Sequence, residues 1–304
     1  MRDFQTIIDD IHQQLQPDLA LGNVADYIPE LSSVPASKFG IAVRTSSGEL
    51  FSAGDAREAF SIQSISKVFT LTMALESHGD ELWDRVGRES SGNPFNSLVQ
   101  LENEAGIPRN PFINAGALAV TDAIYERDVN VKKSVLELVR NLSGSPGVTF
   151  DLEVAESERA HGYRNLAMAN FMKSFGTIAN DVDPVIDAYF HHCSIAMSCE
   201  ELATACSFLA SEGVGWDDKR VLSASHAKKV NALMLVCGTY DAAGEFAYRV
   251  GLPCKSGVGG GIVASMTGEF SLCVWAPGLD ENGNSLVGLK ALELLTTETG
   301  ISIF

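Results

Sequence analysis

Ser64-Ile65-Ser66-Lys67-Val68-Phe69-Thr70-Leu71-Thr72-Met73-Ala74-Leu75 is the stretch on which the chain turns. A serine is followed three residues later by a lysine, and the residues beyond form an apolar run that predicts a buried helix. Residues i and i+3 of a helix share a face, so Lys67 is within reach of Ser64. A serine hydroxyl is a weak nucleophile until a neighbouring base takes its proton. The pair therefore predicts Ser64 as nucleophile and Lys67 as its base. A second element lies far along the chain: Lys255-Ser256-Gly257, leading into Val258-Gly259-Gly260-Gly261. S-x-x-K combined with a later K-[ST]-G is a pattern of serine acyl-transfer chemistry. The other S-x-x-K, Ser225-His226-Ala227-Lys228, has polar neighbours and reads as an exposed helix start.

Composition narrows the class. With 304 residues, 45% hydrophobic and 20% charged, the chain suits one large domain or two closely packed ones. A core of that size needs no disulfide or metal support. The formal net charge of −17 repels phosphate backbones and anionic lipid, so neither nucleic acid nor membrane is an expected partner. Cys193, Cys199, Cys206, Cys237, Cys254 and Cys273 form no C-x-x-C and no zinc-finger spacing. They read as reduced core residues of a cytoplasmic protein. The stretch Met1-Arg2-Asp3-Phe4-Gln5 carries an acid where an export signal has an apolar core, and no apolar run is long enough for a membrane helix.

Along the chain, Phe4, Ile7, Ile8, Ile11 and Leu15 keep a helical period, which Pro17 ends. Residues 39–45 and 50–53 flank the turn Ser46-Ser47-Gly48-Glu49 and predict a β-hairpin. From Ser64 to about Leu235 helical periods recur at 97–105, 115–126, 131–142, 164–175, 182–193, 198–211 and 224–236. Pro94, Gly106 and Gly144 are among the residues that separate them, and Ser198 with Glu201 predicts a capping box. After Tyr240 the texture changes. Residues 245–250 read as a strand, Phe270 to Ala276 as the clearest strand of all, and 285–298 as a final helix. The fold class is α+β: an antiparallel sheet flanked by helices, with an all-helical domain inserted. Residues 1–60 and 241–304 form the mixed domain and 61–240 the helical domain carrying the nucleophile, with the active site where the two meet.

Several constellations carry candidate chemistry. Asn110 and Asn114 bracket Pro111-Phe112-Ile113 ahead of a helix of small residues. Asparagine there serves either as an ordinary cap or as a carboxamide that orients a polar substrate. Glu158 and Asn165 are seven residues apart, two helical turns, so one helix brings both to one cleft; a solvated face is the alternative. His191-His192-Cys193 is a poor metal site, because adjacent helical residues point about 100° apart. The run Gly257 to Gly261 lacks a nucleotide-binding frame, so no nucleotide cofactor is expected. Its glycines suit close backbone approach and an N–H donated to an oxyanion.

Four segments resemble the serine-dependent glutaminases in their bacterial single-domain form. They are Phe60-Ser61-Ile62-Gln63-Ser64-Ile65-Ser66-Lys67, Arg109-Asn110-Pro111-Phe112-Ile113-Asn114-Ala115-Gly116-Ala117, Cys237-Gly238-Thr239-Tyr240-Asp241, and Gly251 through Gly261. The resemblance runs from about Val24 to the final helix and implies a β-lactamase/transpeptidase-like fold and hydrolysis of L-glutamine to L-glutamate and ammonia. It implies Ser64 as nucleophile, Lys67 as base and Tyr240 as proton shuttle. It also implies substrate contacts from Tyr27, Asn114, Glu158, Asn165, Tyr189, Tyr240 and Val258, the last through its backbone N–H. No metal or cofactor is implied, and a homo-oligomer, dimer or tetramer, is. Glu158 suits the ammonium of a free amino acid, and Asn114 with Asn165 its carboxylate. Lys255 offers a second positive charge, and Tyr163 is incidental. Two other readings remain at this point: a β-lactamase or peptidase acting on cell-wall peptides, and a non-catalytic binding homologue.

Overall fold

A computed structural model describes residues 3–91 and 97–304. Pro94, expected as a break between helices, and the first two residues of the amino-terminal stretch lie outside them.

Eight strands are present among the described residues: β1 (Gly40–Thr45), β2 (Leu50–Gly54), β3 (Phe60–Ser61), β4 (Thr149–Phe150), β5 (Ile195–Met197), β6 (Cys254–Ser256), β7 (Gly261–Met266) and β8 (Phe270–Trp275). Five form an antiparallel sheet in the order β2-β1-β8-β7-β6. The predicted hairpin is β1-β2, with Gly40 opposite Gly54, and β1 also pairs with the carboxy-terminal β8. Both ends of the chain thus build one sheet.

Side-chain alternation divides that sheet into two faces. Ile41, Val43, Ile262, Ala264, Leu272 and Val274 share a core with the helices Phe4–Leu15 and Leu286–Thr299. On the other face Ala42, Val263, Cys273 and Trp275 join Val68, Phe69, Leu202 and Phe208 in the core of the helical segment. The helix Ser66–His78 is buried on nearly every side, Val68, Phe69, Thr70, Leu71 and Thr72 included, as a helix without a polar stripe must be. It packs against the equally enclosed helix Asn114–Arg127. The Phe60 ring stacks on Trp275 with centroids 4.9 Å apart, which ties the approach to Ser64 to the sheet.

Three expectations change. Residues 245–249 are helical, within Ala243–Arg249, and Val250 caps that helix. Phe246 and Val250 fall one turn apart on the core side, and Arg249 reaches back to Glu245. The long 198–211 period is two helices, Cys199–Ala205 and Ser207–Ala210, the first opened by the predicted capping box at Ser198 and Glu201. The central segment also contains a second sheet, β3-β5-β4, of strands two or three residues long. Strands so short carry no measurable alternation. The first helix ends at Leu15 and passes into a 3-10 turn containing Pro17.

Candidate active site

Ser64 lies in the 3-10 turn Gln63–Ile65, which leads directly into the helix Ser66–His78. Gln63 holds a left-handed backbone, φ +49°, uncommon for a residue with a side chain. One turn beyond Ser64, Lys67 is 1% exposed. Its Nζ donates to Asn114 Oδ1 at 2.7 Å and to the Phe112 carbonyl at 3.2 Å. Burial pushes its pKa from an ordinary 10.5 down to about 8, against the opposing pull of Cys193 and Glu158.

Asn110 and Asn114 divide the two roles open to them. Asn110 Oδ1 accepts from the backbone N–H groups of Phe112 and Ile113, and its amide donates to the Glu89 carbonyl, so it shapes the loop. Asn114 starts the helix Asn114–Arg127 and turns its amide to Asn165 Oδ1, 3.0 Å away.

The glycine run brings backbone against the serine. A Cβ on Gly257 would lie 2.7 Å from the Ile62 carbonyl oxygen, and one on Gly259 would lie 2.3 Å from that of Ser61. Only glycines allow this approach, and Val258 between them lines the cavity beside Ser64. Tyr240 arrives from a similarly tight place. It has φ +59° and follows Gly238, which packs against the Cys254 carbonyl. Burial pushes the Tyr240 phenol pKa above its ordinary value, with the nearby Ser64 side chain opposing that. The Lys67 Nζ is 5.8 Å and the Lys255 Nζ 4.3 Å from the centroid of its ring. Lys255 sits on β6 opposite Val263, fully buried, and donates to the Ser256 carbonyl. Burial, reinforced by the Lys67 charge, depresses its pKa well below the usual lysine range.

Glu158 and Asn165 face one cavity from two helices, correcting the single helix expected. Glu158 lies in the last turn of one, Leu152–His161, and Asn165 in the first turn of the next, Tyr163–Phe175. Gly162 makes the bend; a Cβ there would meet the Phe190 ring at 2.3 Å. Glu158 is 5% exposed and accepts a 2.5 Å hydrogen bond from the Tyr27 hydroxyl. Burial pushes its pKa up; hydrogen bonds from Tyr27 and Gln63 and the Lys67 charge oppose that. Tyr189, on the helix Val182–Cys193, is buried with its pKa raised by desolvation.

A cavity of about 360 Å³ is lined by Tyr27, Ser64, Asn114, Glu158, Asn165, Tyr189 and Val258, every substrate-contact residue expected except Tyr240. Lys67 and Tyr240 stand behind Ser64. The lining also includes Gln63, Arg164 and His161, for which the sequence indicates no role, and Cys193. Gln63 and Arg164 are chain neighbours of Ser64 and Asn165, which was the available signal. Cys193 was assigned to the core; it is buried and borders the cavity as well. Tyr163 is 77% exposed. His191 Nδ1 lies 2.8 Å from the Asp187 carbonyl, and its ring packs edge-on against Phe150. Ser225 and Lys228 are exposed at the start of the helix Ala224–Cys237.

A family model described as glutaminase matches residues 22–304. A glutaminase of Ralstonia nicotianae is 57% identical over 99% of this chain and 100% of its own length. Another from Streptomyces coelicolor is 54% identical over 99% of this chain and 98% of its own. Among solved structures, the probable glutaminase YbaS superposes with a TM-score of 0.95 at 37% identity, covering 100% of this chain and 99% of that one. Mglu in its tris and glutamate form gives 0.93 at 33% identity, covering 100% of this chain and 68% of that one. The fold is therefore β-lactamase-like, and the chain belongs to the glutaminase family and is an enzyme of that class.

Proposed function

We propose that the protein hydrolyses L-glutamine to L-glutamate and ammonia through a γ-glutamyl ester on Ser64. The observation that carries this is the pairing of a cavity serine with a buried lysine one turn away whose pKa has fallen to about 8. Neutral Lys67 takes the hydroxyl proton as Ser64 Oγ attacks the γ-carboxamide carbon. The developing oxyanion is received by the backbone N–H groups of Ser64 and Val258, adjacent because Gly257 and Gly259 admit the close approach. Collapse breaks the C–N bond, and the proton reaches the leaving nitrogen by way of Tyr240, whose buried ring lies 5.8 Å from the Lys67 Nζ. Water then cleaves the ester, with Lys67 again as base, and releases L-glutamate.

Recognition follows the charges of a free amino acid. Glu158 pairs with the α-ammonium, and Asn114 and Asn165 donate to the α-carboxylate. Tyr27, partly exposed with its hydroxyl on Glu158, covers the substrate from the loop side. Tyr189 walls the cavity beside the side chain. We place the protein in the cytoplasm as a homo-oligomer, dimer or tetramer, with residues 61–240 as the domain inserted between the two halves of the other. Light scattering on the purified protein tests the oligomer.

Ammonia release from L-glutamine by the purified protein, with L-asparagine as control, tests the reaction. Release from glutamine that Ser64→Ala abolishes is the expected result. A folded protein releasing no ammonia across pH and salt conditions overturns the reading.

A further inference from the structure

The proposed contacts leave one substrate charge without a counter-charge. Glu158 answers the α-ammonium, but Asn114 and Asn165 offer the α-carboxylate only neutral donors, already partly committed. Asn114 Oδ1 accepts from Lys67, and its amide donates to Asn165. Hydrogen bonds to a carboxylate from a cation are roughly twice as strong as neutral ones.

His161 and Arg164 are the two cationic side-chain types among the residues lining the cavity. His161 has its Nδ1 against the Ser157 carbonyl at 2.9 Å. Arg164 is exposed at the opening and makes no hydrogen bond or ion pair with any described residue. Elsewhere Arg57, Arg85, Arg109, Arg159 and Arg249 each meet an acid, as expected where 39 acidic residues face 22 basic ones. Among the described residues Arg164 meets no acid, while it borders the cavity next to Asn165. The bend at Gly162, which only glycine fits, is what brings the start of this helix to the cavity wall.

We propose that Arg164 is a specificity-determining residue whose guanidinium holds the free α-carboxylate at the cavity opening, selecting free glutamine over glutamine with a blocked carboxyl group. The inference rests on the assignment of glutamine hydrolysis to this cavity. Arginine suits the role because its planar fork matches a carboxylate with two parallel bonds.

The test compares L-glutamine with L-glutaminamide, whose α-carboxyl is an amide, in the wild type, Arg164→Gln and Arg164→Lys. Side-chain hydrolysis of the blocked substrate consumes water and yields ammonia and L-isoglutamine, which chromatography separates from glutamate. Arg164→Gln is expected to lower kcat/KM for glutamine about tenfold, through KM with kcat nearly retained, in line with loss of one exposed charge-assisted interaction. The blocked substrate is expected to be unaffected, and Arg164→Lys to recover part of the loss. Product inhibition gives a second reading that needs no turnover of the amide. The inhibition constant for L-glutamate rises in Arg164→Gln, and that for L-isoglutamine does not. Equal losses on both compounds, or none on either, overturn the inference while leaving the hydrolysis standing. A wild type that releases no ammonia from glutamine overturns both.

Discussion

Lys67 sets the expected pH dependence of the enzyme. Burial lowers its pKa to about 8, and only the neutral amine accepts the Ser64 proton. The pH profile of kcat/KM should therefore rise through about pH 8 and not fall there. A flat profile from pH 6 to 9 excludes Lys67 as the base. Stability carries the same signature. The folded-state pKa lies below the unfolded one, so between about 8 and 10.5 the unfolded chain holds the extra proton and stability rises with pH. Measured against Lys67→Met, whose core is otherwise similar, the wild type should gain about 3 kcal/mol across that window in denaturant melts. At this scale the pattern of Ser64 and Lys67 was plain in the sequence because both sit on one local turn. Gln63 and Arg164 were not assigned roles, since their use depends on which way a neighbouring helix or turn faces.

At the scale of elements, close backbone approach governs the site. Gly259→Ala places a Cβ 2.3 Å from the Ser61 carbonyl and forces the Val258 loop away from Ser64. Losing one oxyanion donor should reduce kcat by about 10²–10³, with the far-ultraviolet spectrum unchanged. Activity within a few-fold of wild type removes Val258 from the oxyanion site. Glu158 and Asn165 show why spacing alone misled: seven residues fit two turns of one helix, but Gly162 breaks the helix and both residues still reach the same cavity. The segment 245–250 shows the converse. Its β-type composition yields to a helix because Phe246 and Val250 both find the core one turn apart.

Across the whole molecule, the cavity forms where the Ser64 turn, anchored to the sheet through Phe60 and Trp275, meets the helices bearing Asn114, Glu158, Asn165 and Tyr189. A ligand that spans these elements stabilises their assembly. L-glutamate at about a hundred times its dissociation constant should add about 2.7 kcal/mol and raise the melting temperature, an effect that Glu158→Gln weakens. An unchanged melting temperature at saturating L-glutamate, established by direct binding, argues that these elements are not joined by the ligand.

The sequence by itself determined the candidate nucleophile and base, the carboxy-terminal lysine motif, the sheet built from both ends and the apolar central helix. Each of these is a local period or a short motif, set by side-chain spacing along one element. Tertiary structure decided which of two asparagines faces the cavity, where the helix carrying Glu158 ends and which arginine borders the opening. It also decided how far Lys67 is removed from water. Those properties depend on what the rest of the chain places against a residue, because burial, counter-charges and van der Waals clearance are set by neighbours distant in sequence.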